Sequence, residues 1–174
     1  FSVFDDALML KGIASRPADD EGVASTKQNL IEDGILRGFL YDNKTAAKAG
    51  AVSTGSAKRG DYNSFPGIST SNFYIAAGKD KVADVIASCK KGIIVEDTQG
   101  WGLNSVTGQY SAGINGILVL NGKTIKPVGN VTIGASADEV LNGIGAICDD
   151  LTFYWPSNSP TLMVKKMKVG TSLS

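Results

Sequence analysis

Short apolar runs separated by turn signals dominate the pattern of hydrophobic and polar positions along the chain. Two pairs of such runs, QNLIEDGILRGFLYD and GILVLNGKTIKPV, are joined by Asp33-Gly34 and Asn121-Gly122. Both dipeptides favour type I′ turns, in which the two central residues have positive φ. The pattern therefore predicts two antiparallel β-hairpins.

Further strands are predicted wherever a short run rich in β-branched or aromatic residues lies between turn signals. These runs are Ser69 to Ala76, Gly92 to Glu96, Val131 to Ile133, Leu151 to Trp155 and Thr161 to Val169. The chain itself opens with FSVF, which is typical of a strand already in progress. We therefore expect these residues to be part of a longer protein.

Three segments carry the signals of short helices, with a polar capping residue before each one. They are NKTAAKA between Asp42 and Gly50, KVADVIASCKK between Asp80 and Gly92, and ADEVLNGIGAIC after Ser136. The third begins with a capping box that places Glu139 at position N3, although Gly143 and Gly145 weaken its second half. Few helices and many antiparallel strands predict a β-rich α+β fold, and we expect residues 1–174 to form a single domain.

Length and charge limit the classes of function. The 174 residues suit one domain with a real core, and the 17 basic residues balance 17 acidic ones. A neutral chain has no long-range field to attract nucleic acid or an anionic membrane. Because no apolar run approaches the roughly 20 residues that span a bilayer and no signal peptide is visible, we expect a cytoplasmic protein.

The residue types restrict the chemistry further. The chain contains no histidine, so it cannot by itself complete serine–histidine or cysteine–histidine machinery or a zinc site of the HExxH type. Its two cysteines, Cys89 and Cys148, each extend an apolar stripe at helical spacing. We interpret both as buried, reduced thiols.

Three charged or polar motifs have both a functional and a structural interpretation. Adjacent acids at Asp19, Asp20 and Glu21 suit a metal site or a general base, but a solvated turn is favoured because the motif lacks the spacing of a calcium loop. The segment STGSAKRG, from Ser53 to Gly60, lacks the GxxxxGK[ST] spacing of a phosphate loop. The lysines of KKMK, from Lys165 to Lys168, lie in a predicted strand, where they favour protection of an exposed edge.

The uncharged segment GWGLNSVTGQYSAG, from Gly100 to Gly113, is rich in glycine and hydroxyl groups. No histidine or lysine lies beside its hydroxyls to activate one of them as a nucleophile. The dipeptide Thr107-Gly108 instead predicts a tight turn between two strands. Alternating side chains on these strands suit a hairpin that lines a cleft.

Several segments in a fixed order resemble the C-terminal domain of the TldD/PmbA family, and the resemblance covers nearly the whole chain. These segments are KGIASRPADDEGVAS, LIEDGILRGFLYDNKTAAKAGAVSTG, GQYSAGINGILVLNGKTIKPVGNVTIGASADEVL, AICDDL and LMVKKMKVG. The resemblance implies a cytoplasmic metalloprotease system, historically labelled a modulator of DNA gyrase, that cuts unfolded peptides and matures peptide antibiotics. It also implies a heterodimer in which the TldD-type subunit holds zinc through a HExxxH helix and a cysteine of the C-terminal domain.

Two features of the resemblance point to the subunit that lacks these ligands. The segment matching the family's cysteine region runs DDLTFYWPSNSPTLMV without a cysteine, and Cys148 lies before it. The motif KGIASRP also resembles the PmbA (TldE) side. The resemblance therefore implies a non-catalytic domain that holds no cofactor or metal of its own, with zinc in the catalytic paralogue, and whose partner is a TldD-like subunit or a second copy.

In that role, the polar loops would form a wall that holds an extended peptide through main-chain hydrogen bonds. The candidate residues of this wall are Ser53, Thr54, Asn104, Ser105, Thr107, Tyr110 and Ser111. Two alternatives stay open. One is an active zinc metallopeptidase with HExxxH upstream of Phe1, and the other is a peptide- or carbohydrate-binding β domain that uses aromatic stacking surfaces, namely Trp101, Tyr110, Tyr154 and Trp155.

Overall fold

The structure is a computed structural model that describes residues 1–171, except for the side chain of Trp101. The chain divides into two compact units, Phe1–Gly78 with Asp150–Pro160, and Lys79–Asp149 with Thr161–Ser174. The helices are α1 (Asn43–Ala49), α2 (Val82–Ser88) and α3 (Ala137–Gly143). The strands are β1 (Val3–Asp6), β2 (Lys27–Glu32), β3 (Ile35–Leu36), β4 (Ala57–Lys58), β5 (Gly67–Ile68), β6 (Phe73–Ile75), β7 (Lys91–Leu103), β8 (Gln109–Leu120), β9 (Lys123–Ser136), β10 (Ile144–Ile147), β11 (Ser157–Asn158), β12 (Leu162–Val164) and β13 (Lys168–Thr171).

The first unit contains a five-stranded sheet in the order β11-β6-β1-β2-β3 and a separate β4-β5 pair. All pairings are antiparallel except that of β11 with β6. The predicted turn between β2 and β3 is confirmed, with φ of 51° at Asp33 and 80° at Gly34. A positive φ at both positions is the property that selects this dipeptide for a type I′ turn.

The second unit contains a four-stranded antiparallel sheet in the order β13-β9-β8-β7 and a β10-β12 pair. The second predicted hairpin is also confirmed, since Asn121 (φ 50°) and Gly122 (φ 75°) form the turn between β8 and β9. One face of this sheet holds the buried cluster Ala112, Ile114, Val131 and Ile133. The sheets and three short helices confirm the β-rich α+β class, while a single domain stays a prediction.

Two of the helices begin where the sequence predicts. The Asp42 carboxylate accepts from Thr45 N (2.7 Å) at the start of α1, and Gly50 (φ 63°) ends that helix in the left-handed region. Ser136 and Glu139 form the predicted capping box of α3, in which each side chain accepts a backbone N–H of the other residue. These caps satisfy backbone donors that have no partner inside a helix.

The second helix differs from its prediction at both ends. Its N-cap is Lys81, not Asp80, and the helix ends at Ser88 with Cys89 as its C-cap, before the predicted end at Gly92. Asp80 instead forms a parallel bridge with Cys148, and its carboxylate accepts from Ile147 N at 3.3 Å. The Asp80 side chain is therefore used in a tertiary contact and not in the helix cap that the local pattern predicts.

The third helix is shorter than predicted because it ends at Gly143, and Ile144–Ile147 forms β10 against β12. Glycine has low helix propensity, so Gly143 and Gly145 permit the change to a strand. Cys148 follows this strand, not a helical stripe, and is fully buried as expected. The prediction that both thiols are buried is wrong for Cys89, which is only half-buried at the end of α2.

Two of the predicted strands are altered near the end of the chain. Leu151–Trp155 is not a strand, because the N–H groups of Tyr154 and Trp155 donate to the side chain of Asn158 in a turn. The predicted strand from Thr161 to Val169 is interrupted between β12 and β13. Met167 lies in this interruption and packs against the buried cluster of the second unit.

Candidate functional site

The β7-β8 hairpin places five of the candidate residues at one end of the second unit. Asn104 N donates to Gln109 O and Gly108 N donates to Asn104 O, each at 2.8 Å. The side chain of Asn104 also accepts from Val106 N (3.0 Å) and Thr107 N (3.1 Å). This confirms the tight turn at Thr107-Gly108, and the loop is closed by its own hydrogen bonds.

The candidate side chains on this hairpin have different surroundings. Asn104, Ser105, Thr107 and Ser111 are exposed, whereas Tyr110 is half-buried against the apolar cluster of the sheet. The side-chain oxygen of Asn104 is already engaged in the turn, so it has less capacity for a ligand than the prediction assumed. Ser105 and Ser111 carry their hydroxyls at the surface, and their contact with a peptide stays a prediction.

Strand β7 forms an edge of its sheet. It spans thirteen residues and, within residues 1–171, pairs only with β8. Register shifts between Val95 and Asp97 and between Gln99 and Gly102 interrupt the ladder with β8. Such irregularities discourage pairing with long flat strands, while the stretches between them keep main-chain groups that an extended peptide can meet.

The other two candidates, Ser53 and Thr54, belong to the first unit and are half-buried. Thr54 Oγ1 accepts from Tyr41 N at 2.8 Å, and Thr54 N and Ser53 Oγ both donate to Tyr41 O at 3.2 Å. Thr54 Oγ1 also shares a hydrogen bond with Ser56 Oγ at 2.8 Å. These hydroxyls hold the two ends of the α1 segment together, a structural role that sequence reasoning missed.

The acidic triplet is not a solvated turn throughout, because Asp19 is 6% exposed. One oxygen of its carboxylate accepts from Glu21 N (3.0 Å) and Val23 N (2.9 Å), and the other accepts from Ala57 N at 3.0 Å. The two neighbouring acids engage other backbone N–H groups, Asp20 that of Arg59 and Glu21 that of Asn43. The three acids therefore hold separate segments of the first unit together through hydrogen bonds to backbone N–H groups.

An aromatic group in the first unit was not predicted from the sequence. The Tyr74 ring lies 5.4 Å from that of Phe4 and 5.3 Å from that of Phe153, measured between centroids. Lys27 Nζ lies 5.0 Å from the Phe4 centroid and forms an ion pair with Asp6 at 3.3 Å. The hydrogen bond with Tyr74 is the main cause that raises the pKa of Lys27, and this shift favours the protonated lysine.

The side chain of Trp101, one of the four aromatic residues considered as stacking surfaces, lies outside the described part of the structure, and the other three residues are divided between the two units. Tyr154 and Trp155 lie in the first unit and are 72% and 71% exposed. Tyr110 belongs to the second unit, where it packs against the sheet. The only signal for the exposed pair in the sequence is the run FYW, which the pattern predicts as part of a strand.

The residues that the structure describes do not fit a complete metal centre. Among them, no three side chains of histidine, cysteine, aspartate or glutamate lie close enough to hold one ion. Cys148 is fully buried, and Cys89 is half-buried at the end of α2. Zinc requires about four ligands, predominantly imidazole and thiolate, and these two separate thiols do not supply them.

The described helices are all short. Each has seven residues, so none of them has the length or the apolar composition to cross a membrane.

Comparison with known families and proteins gives consistent matches. Residues 1–171 match the model of the PmbA/TldA metallopeptidase C-terminal domain. The chain is 30% identical over 170 residues to a metalloprotease PmbA homolog of Haemophilus influenzae, covering 98% of this chain and 36% of the relative. It is 32% identical over 151 residues to a metalloprotease TldD homolog of Buchnera aphidicola, covering 86% of this chain and 31% of the relative.

The fold comparison agrees with the sequence comparison. The crystal structure of TldE from Thermococcus kodakarensis superposes with a TM-score of 0.87 at 26% identity, covering 97% of this chain and 39% of that one. The chain thus spans about a third of the length of the curated relatives it matches. The match over residues 1–171 shows that this chain belongs to the PmbA/TldD metallopeptidase family, as its C-terminal domain.

Proposed function

We propose that the chain is the C-terminal domain of a PmbA/TldE-like, non-catalytic subunit of a cytoplasmic metalloprotease complex. In this role it holds an unfolded or precursor peptide in an extended form while a zinc-bearing, TldD-like partner hydrolyses the peptide bond. The observation that carries the proposal is the thirteen-residue edge strand β7, which continues into the closed hairpin tip at Asn104–Gly108.

The chemistry of peptide hydrolysis supports a non-catalytic role. A zinc peptidase needs metal ligands and a carboxylate that activates a water molecule. This chain has no histidine, and the segment after Asp149 contains no cysteine. Its carboxylates at Asp19, Asp20 and Glu21 already accept hydrogen bonds from backbone N–H groups. Catalysis is therefore assigned to the partner.

The geometry of the second unit supports peptide binding. An edge strand pairs with an extended peptide through main-chain hydrogen bonds, which do not depend on the peptide's sequence. This independence suits a system that accepts unfolded chains. The hairpin tip adds an apolar contact, because Val106 is 93% exposed beside the hydroxyl of Ser105. Peptide affinity from such a small surface is expected to be weak and to depend on the partner for full strength.

Amide hydrogen exchange tests the peptide-binding part of the proposal. Adding an unfolded twelve-residue peptide to the 174-residue chain should slow exchange in β7 and leave the central strand β8 unchanged. The variant Val106→Asp should weaken this protection, and Val52→Asp, which changes a side chain that is 83% exposed in the first unit, should not. Equal protection of β7 with and without peptide refutes binding at this edge.

A hydrolysis assay tests the non-catalytic part. The chain alone should leave the peptide intact, and cleavage should appear when a TldD-type subunit loaded with zinc is added together with the full-length protein. Cleavage should then be lost on chelation. If the chain alone, or its full-length parent alone, cleaves the peptide in a chelator-sensitive way, the alternative of an active metallopeptidase replaces this proposal.

A further inference from the structure

An open cleft of about 530 Å³ lies in the second unit between α3 and the segment that joins β12 to β13. Its polar lining consists of Glu139 and Asn142 from α3 and of Lys165, Lys166 and Lys168 from the joining segment and β13. Gly134 of β9 forms part of its floor. The sequence pattern predicts these lysines along one continuous strand, where they protect a sheet edge.

In the structure, the predicted strand that carries these lysines is interrupted. The strand is broken at Lys165, whose N–H donates to Gly143 O at 2.8 Å. Met167 anchors the other end of the break in the apolar cluster of the sheet. Lys165 and Lys166 therefore line a concave surface outside any strand, whereas Lys168 lies in β13, at the edge of the described sheet, as the sequence predicts.

Two glycines allow this arrangement. A Cβ on Gly145 would lie 2.6 Å from Lys165 Cε and 2.9 Å from its Cγ, so the stem of the lysine packs where a side chain would be. A Cβ on Gly143 would lie 3.1 Å from Val164 Cγ1. The same glycines that end α3 thus bring the lysine segment close to the end of the helix. This packing fixes the stem of Lys165, which is one of the residues that line the cleft.

The charges in the cleft do not cancel. Three lysines but only one acidic residue, Glu139, line the cleft. The Glu139 carboxylate accepts from Ser136 N at 2.8 Å. This backbone hydrogen bond is the main cause that lowers the pKa of Glu139, with a smaller contribution from Lys168. Within residues 1–171, neither Lys165 nor Lys166 forms an ion pair. The cleft therefore keeps an excess of positive charge in a neutral protein.

We propose that this cleft binds the carboxylate of a peptide, with Lys165 and Lys166 as the charged contacts and the Asn142 amide as a hydrogen-bond donor. The inference rests on the proposed function, because it names the end of the peptide that the domain would hold. A carboxylate is small and planar, and it accepts several hydrogen bonds from ammonium and amide groups. The carboxylate comes either from the peptide's own C-terminus or from an aspartate or glutamate side chain.

Three synthetic peptides of one uncharged sequence separate these sources. The first has a free C-terminus, the second has a C-terminal amide, and the third has the amide and one internal glutamate. Binding to the 174-residue chain is measured by fluorescence anisotropy at low and high salt. The free acid should bind about tenfold more tightly than the amide at low salt, and salt should reduce this difference. If only the glutamate peptide gains affinity, the side-chain source is established.

Matched lysine variants locate the effect. Lys165→Gln with Lys166→Gln should remove the preference for the free acid, whereas Lys123→Gln with Lys126→Gln, on exposed positions of β9, should leave it intact. All four positions are exposed, so circular dichroism should show the same fold in both double variants. A preference that survives the Lys165/Lys166 change, or that disappears equally in both double variants, overturns the proposal.

The outcome also separates this inference from the proposed function. If all three peptides bind equally and slow exchange in β7, peptide binding stands and the carboxylate site is refuted. If none of the peptides binds, the proposed peptide-holding function fails along with the site. If the free acid binds through the lysines without protecting β7, the carboxylate site stands and the edge-strand part of the proposed function fails.

Discussion

Replacing Asp19 tests how the acidic triplet is used. Its buried carboxylate accepts three backbone N–H groups, from Glu21, Val23 and Ala57, at 2.9 to 3.0 Å. A hydrogen bond to a charged group contributes about 1.5 to 3 kcal/mol, and a buried donor left without a partner costs about 1 to 3 kcal/mol. Water can reach part of the site in Asp19→Ala, so we expect a loss of about 3 to 5 kcal/mol in the free energy of unfolding.

Two further variants make the estimate specific. Asp19→Asn keeps one accepting oxygen but presents an amide to one of the donors, so its loss should be smaller, about 1 to 3 kcal/mol. Asp20→Ala removes a single bond to Arg59 N at an exposed position and should cost less than about 1 kcal/mol. Urea denaturation gives these free energies, and amide exchange should show lost protection at Ala57 in Asp19→Ala.

Either of two results would refute this reasoning. The first is a loss in Asp19→Ala that equals the loss in Asp20→Ala, because the count of buried donors would then have no effect. The second is a rise of the urea midpoint with millimolar calcium or magnesium that vanishes in Asp19→Asn. That result would return the triplet to the metal-site interpretation, since a carboxylate that fastens three N–H groups has little capacity left for a cation.

Three further predictions concern the sheets and the titrating groups. Gly116→Ala should destabilise the second unit by about 1 to 3 kcal/mol in thermal unfolding, because its Cβ would lie 2.0 Å from Ile94 O, whereas Gly134→Ala, with its nearest contact at 3.6 Å, should be neutral or slightly stabilising. Burial raises the pKa of Asp5, which lies beside Arg16 and Asp6. The stability of the wild type relative to Asp5→Asn should therefore be greatest below pH 3.8 and fall as pH rises through the folded pKa. A difference in unfolding free energy between the two proteins that stays constant from about pH 3 to 7 would contradict this. The Thr45 hydrogen bonds lower the pKa of Asp42. The loss of unfolding free energy in Asp42→Ala should therefore be full at pH 7 and shrink as pH falls through the folded pKa, which denaturation measured from pH 7 down to about pH 3 checks.

Local signals predicted the elements whose geometry depends on neighbouring residues in the chain. The turns at Asp33-Gly34 and Asn121-Gly122 follow from the positive φ that these dipeptides accept. The capping box at Ser136 and Glu139 follows from backbone donors at a helix start. The tight turn at Thr107-Gly108 belongs to the same class. In each case the determining interactions span only a few residues.

Long-range contacts decided the features that the sequence pattern missed. Asp80 resembles a helix cap in the sequence, but its carboxylate accepts from Ile147 N, 67 residues away. The buried Asp19 carboxylate accepts from Ala57 N, 38 residues away, and this contact joins two distant segments of the first unit. A polar side chain has several available partners, and the choice among them depends on which distant segment arrives beside it.

The sequence by itself determined the β-rich α+β class, the two type I′ hairpins, the absence of histidine chemistry and the family to which the chain belongs. The tertiary structure alone decided that β7 is an edge strand, that Ser53 and Thr54 hold a loop together, and that Lys165 and Lys166 line a cleft. The physical reason is that periodicity and turn chemistry depend on residues close in sequence. Edges and clefts exist only after distant segments have come together, as when the Lys165 side chain packs against Gly145.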